Sequence, residues 1–136
     1  MVFNILLLLV VHAYAICEGI TEASVWEMRD NQVKINTGKY HFYRAIETIA
    51  IFLMPIMFVF IVNYVVDVLI LGAVCFLMYI LPYRVAFIRR RGQKNIMPSW
   101  DYDIEIFGKL VYIKYPSLYV VIFSYVSSIV TLFVLY

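Results

Sequence analysis

Ile5-Leu6-Leu7-Leu8-Leu9-Val10-Val11 is a run of apolar side chains with no polar residue to give a strand or a surface helix a wet face. A membrane-spanning β-strand alternates polar and apolar positions, so this run reads as a helix that is apolar on every side. Outward from it, the apolar character extends from Val2 to about Thr21. It returns from about Ile46 to Val62, from about Val68 to Tyr83 and from about Leu118 to Tyr136. Each stretch approaches or reaches the roughly 20 residues that a helix needs to cross a hydrocarbon core of roughly 30 Å. The expected fold is an all-α membrane protein. Four transmembrane helices form a bundle in a single integral membrane domain over residues 1–136, and a short amphipathic helix at the interface precedes the fourth.

Composition agrees with this reading and excludes a soluble domain. Of the 136 residues, 65% are hydrophobic and only 15% charged. A soluble domain has roughly 45–50% and 25%. A 16.0 kDa globule with mean hydropathy +0.89 lacks the interior to hide that surface. Ala13-Tyr14-Ala15 has the small-x-small form of a signal-peptide cleavage site. However, Met1-Val2-Phe3-Asn4 carries no Lys or Arg, so an uncleaved first span is expected.

The basic residues fall in two groups. Arg29, Lys34, Lys39 and Arg44 surround the first connection, and Arg84, Arg89, Arg90, Arg91, Lys94, Lys109 and Lys114 surround the third. With four spans these connections share one side, so the positive-inside rule puts them on the cytoplasmic or matrix side and both termini opposite. The short second turn, Asn63 to Asp67, is expected to close an antiparallel hairpin of helices two and three, with Asp67 capping the third. Pro55 and Pro82 lie within helical patterns, where neighbouring helices offset a lost hydrogen bond.

The basic-side loop, 84–116, is the one substantial extramembrane segment. Arg89, Arg90, Arg91 and Lys94 form a knot suited to anionic lipid headgroups, and no nucleic-acid partner is expected. Ser99 is expected to cap the interfacial helix, with Asp101, Glu105 and Lys109 on one face and Tyr102, Ile106, Leu110 and Ile113 on another.

Ionisable groups at membrane depth are the candidate functional residues, because burying them is costly. At 100° per residue, Asn4, His12, Glu18, Gly19, Glu22 and Trp26 share a stripe of the first helix, and His41, Arg44, Glu47 and Thr48 open the second. An antiparallel register in which positions sum to about 67 would bring Glu22 to Arg44, Trp26 to His41 and Glu18 near Glu47. The polar cluster His12, Glu18, Glu22, His41, Arg44 and Glu47 then has two readings. One is a metal site or proton relay through Glu18, Glu22, His41 and Glu47. The other is a structural network in which Arg44 is neutralised by Glu22 and Glu47, and this reading is favoured. His12 and His41 lie at different depths, so no haem is expected within one chain, and no cofactor is assigned. Cys17 and Cys75 read as packing residues.

Small residues mark expected close contacts between helices: Gly19 on the first, Gly72 on the third, and Ser124, Ser127 and Ser128 on the fourth, in a stripe with Ser117 and Thr131. No catalytic signature is present, and enzymatic activity is not expected. The favoured function is a non-catalytic structural or accessory subunit of a larger membrane complex, partnered by lipid and by other membrane subunits. The alternatives are a small homo-oligomeric transporter or channel using a membrane-embedded carboxylate, and a membrane-embedded metalloenzyme.

Overall fold

A computed structural model describes residues 1–31, 37–92, 101–106, 109–114 and 118–136. Its elements are α1 (Val2–Asn31), α2 (Thr37–Ile61), α3 (Val65–Arg90), β1 (Asp101–Ile106), β2 (Lys109–Lys114) and α4 (Leu118–Leu135). All four helices are long and apolar enough to cross a membrane, with mean hydropathy of 1.9 to 2.4 in their most apolar windows. Helix is the economical conformation there, because lipid offers the backbone no hydrogen-bond partner.

Three of the helices outrun their apolar stretches. α1 continues to Asn31 rather than about Thr21, α2 begins at Thr37 rather than about Ile46, and α3 runs through to Arg90 rather than Tyr83. The added turns of α1 and α3 contain no Gly or Pro, and their Glu, Arg, Ala and Met residues favour helix. Hydropathy marks where an apolar stretch ends, not where the helix ends. Arg84, Arg89 and Arg90 therefore belong to α3 and not to a loop.

The interfacial helix expected after Ser99 is not formed. Residues 101–106 and 109–114 instead make an antiparallel pair, with Asp101 opposite Lys114 and Ile106 opposite Lys109. Asp101-Tyr102-Asp103-Ile104-Glu105-Ile106 alternates strictly polar and apolar, a period of two, and Val111-Tyr112-Ile113 is β-branched and aromatic. That pattern outweighs the weaker helical spacing. Lys94, Ser99, Trp100 and Ser117 lie outside the described residues.

Direction and register follow from named contacts. α1 and α2 are antiparallel, joined by Thr21 and Glu47, whereas α1 and α3 are parallel, joined by Glu18 to Tyr79 and Glu22 to Tyr83. α4 packs mainly on α3 and meets α1 through Asn4, whose Nδ2 donates to the Leu132 carbonyl at 3.2 Å. The turn between α2 and α3 is tight, and the Asp67 carboxylate accepts the Tyr64 N–H at 3.1 Å. α2 and α3 run antiparallel across it, as expected, and both pack chiefly along α1.

The main core gathers Leu7 and Val11 of α1, Met57 and Ile61 of α2, Leu71, Val74, Cys75 and Met78 of α3, and Leu132 of α4. On α3 the buried stripe is thus 71, 74, 75 and 78, which corrects one expectation. Gly72 is turned away from this stripe, with nothing within 4 Å of where a Cβ would stand. A helix that is apolar all round carries no moment to indicate which face is inward.

Candidate functional site

The polar residues of α1 sort by direction. At 100° per residue, Glu18 and Glu22 share one face and Thr21 lies beside it, so one turn of helix addresses both neighbours. Toward α2, the Thr21 hydroxyl donates to Glu47 Oε1 at 2.6 Å, and Arg44 Nη1 donates to Glu47 Oε2 at 2.7 Å. Glu47 is 3% exposed, so Thr21 and Arg44 together satisfy an otherwise buried carboxylate. Toward α3, the Tyr79 hydroxyl donates to Glu18 Oε2 at 2.7 Å, and the Tyr83 hydroxyl donates to Glu22.

The expected register between α1 and α2 is close to the one observed, but the partners differ. Glu18 and Glu22 turn to the tyrosines of α3, and Arg44 is held by Glu47 one turn along its own helix and by the Tyr40 hydroxyl. His41 does not join the group. It lies six residues before Glu47, about 120° around the helix, and its exposed ring packs edge-on against Tyr40. His12 is also separate. Its Nδ1 donates to the Leu8 carbonyl at 2.7 Å, and its Nε2 lies within hydrogen-bond distance of the Tyr125 hydroxyl at 2.5 Å. The proposed ligand set Glu18, Glu22, His41 and Glu47 is therefore not assembled. Among the described residues, no three His, Cys, Asp or Glu side chains converge as metal ligands would.

Tyr79 and Tyr83 are the members that sequence reasoning missed. The signal was present, since both pairs are spaced i,i+4 and share an offset of 61, as two parallel helices in register require. Tyr83→Phe removes one hydroxyl donor from Glu22 and is expected to lower stability by about 1 kcal/mol, read as a reduced thermal transition in detergent.

Two grooves share Glu18. One, of about 350 Å³, runs between α2 and α3 over Val11, Tyr14 and Glu18, with Met54 and Tyr79 as its walls. The other, of about 400 Å³, lies between α1 and α2 and is lined by Glu18, Thr21, Glu22, Trp26 and Arg44. α4 covers neither of them.

Gly19 makes the α1–α3 pairing possible. A Cβ there would stand 2.5 Å from the Tyr83 carbonyl oxygen and 3.1 Å from Ala86 Cβ, so the two backbones meet where α1 has no side chain. On α4, Ser128 is buried and donates to the Ser124 carbonyl at 2.6 Å, while Thr131 donates to the Ser127 carbonyl at 2.8 Å. These hydroxyls return their protons to their own helix and need no water. Of the arginines, Arg90 pairs with Glu27 at 3.2 Å, and Arg91 lies over the Phe87 ring.

Four helices of this length and apolarity make the chain an integral, multi-pass helical membrane protein. Compared with protein-family models, curated proteins and solved structures, it matches none.

Proposed function

We propose that the chain is a non-catalytic accessory subunit of a larger membrane complex. One observation carries this reading: a groove floored by Glu18 and Tyr14 stands open between α2 and α3, while α4, the helix that would close a four-helix bundle, packs on the other side of α3 and α1. A carboxylate and two phenols facing acyl chains are unfavourable, and a helix from another subunit, seated between α2 and α3, would cover them. The outer flank of α2, with Ile49, Phe52, Ile56, Val59 and Phe60 exposed, supplies further apolar surface on which a partner can pack. In this reading the basic connections face the cytoplasm or matrix and both termini face the opposite side.

The test is the native mass and composition of the tagged chain in mild detergent. A particle well above 16.0 kDa plus its micelle, with defined partner chains, is the expected result. A particle of this chain alone counts against it.

A second reading rests on the position of Glu18 in both grooves. A carboxylate reached from two cavities is placed to take up a proton or a cation, as in a small homo-oligomeric carrier. In that case Glu18→Gln abolishes pH-dependent uptake into vesicles and leaves the fold intact.

A further inference from the structure

A separate groove lies on the opposite face of the α1–α3 pair. Its floor carries Ile16 and Ile20 of α1, about 180° around that helix from Tyr14 and Glu18. Leu81 and Val85 of α3 and the Tyr125 ring of α4 form its walls. The cavity measures about 470 Å³ and is apolar along its length, which is about 12 Å from Leu81 to Arg89 at 1.5 Å per residue. It opens because Gly19 draws α1 onto α3, while the α1–α4 hydrogen bonds run from Asn4 to Leu132 and from His12 to Tyr125 on the far side, leaving a wedge beyond them.

The mouth is not apolar. Arg89 and Arg90 both line it, and each is exposed. Arg90 is held in place from α1, its Nη2 3.2 Å from Glu27 and its Nε 3.4 Å from the Ser24 hydroxyl. One carboxylate thus faces two guanidinium groups, leaving a net positive mouth above a greasy slot.

We propose that this groove is a binding site for one anionic phospholipid. An acyl chain lies along Ile16, Ile20, Leu81 and Val85, and the phosphodiester sits between Arg89 and Arg90. Charge complementarity identifies the occupant. Guanidinium groups bind phosphate oxygens in a planar, bidentate fashion, and the slot beneath takes only hydrocarbon. A soluble phosphate would leave the slot empty, and a zwitterionic lipid would bring its own cation to a positive mouth.

The experiment is native mass spectrometry of the full chain in detergent with equal amounts of phosphatidylglycerol and phosphatidylcholine of the same chain length. One phosphatidylglycerol should be retained in about tenfold preference, the discrimination of a single charge-assisted contact. The double substitution Arg89→Gln, Arg90→Gln should abolish the preference. Val85→Trp fills the slot, leaves both arginines in place and should release the lipid. Glycerophosphoglycerol, the same headgroup without tails, should not compete with phosphatidylglycerol for the unmodified chain. Equal retention of the two lipids, or displacement by the tail-free headgroup or by inorganic phosphate, overturns the proposal. The last two readouts need no variant to fold.

Discussion

Gly19→Ala should destabilise the bundle by about 2 kcal/mol, the scale of overpacking in a tight interface, although alanine is the better helix former by about 1 kcal/mol. The reason is geometric. The added methyl would stand 2.5 Å from the Tyr83 carbonyl oxygen and 3.1 Å from the Phe87 backbone nitrogen, and neither atom belongs to a side chain that can swing aside. The helices must separate, and separation loosens the Glu18–Tyr79 and Glu22–Tyr83 bonds on the same interface. Gly19→Val should be worse. Gly72→Ala is the matched control, since open space surrounds that position. It should be neutral or slightly stabilising in the same thermal unfolding measurement in detergent. Equal losses at both glycines would show that helix contact at Gly19 is not the cause.

The second large effect concerns Arg44 and Glu47. Arg44→Met leaves a carboxylate that is 3% exposed with only the Thr21 hydroxyl as partner, and should cost about 2 kcal/mol. This lies below the range for fully buried pairs because the Arg44 side chain is itself 49% exposed. Adding Glu47→Met removes the stranded charge, so the double variant should be more stable than Arg44→Met alone. Glu47→Met alone should be milder than Arg44→Met, because the freed guanidinium can turn to water, and the Thr21 hydroxyl also donates to the Glu18 carbonyl. If the double variant is the least stable of the three, the pair is not what holds this end of α1 and α2 together.

The four spans were legible in the sequence because hydropathy reports the solvent directly, and lipid permits few answers. The approximate register of α1 against α2 was legible too, since an ionisable residue on one apolar helix restricts where its partner can sit. What could not be read was which helix each carboxylate faces. Glu18 and Glu22 had two possible neighbours, and the choice of α3 depended on Gly19 letting that helix come close. His41 was placed by register opposite Trp26, but it lies about 120° around α2 from Glu47 and its ring stays exposed. Gly72 failed for a related reason: in lipid both faces of a helix are apolar, so the pattern has no inward sign. The antiparallel pair of β1 and β2 was legible in principle. The alternation in Asp101 to Ile106 is plain, but an expectation of helix beside a membrane displaced it.

α1 runs over 30 residues, about 45 Å at 1.5 Å per residue, and outreaches a hydrocarbon core of roughly 30 Å. Its last turns therefore stand among the headgroups, where Glu27 is at ease and holds Arg90 of α3 at the same depth. A thicker bilayer would draw that pair toward hydrocarbon, at fractions of a kcal/mol for each ångström of mismatch.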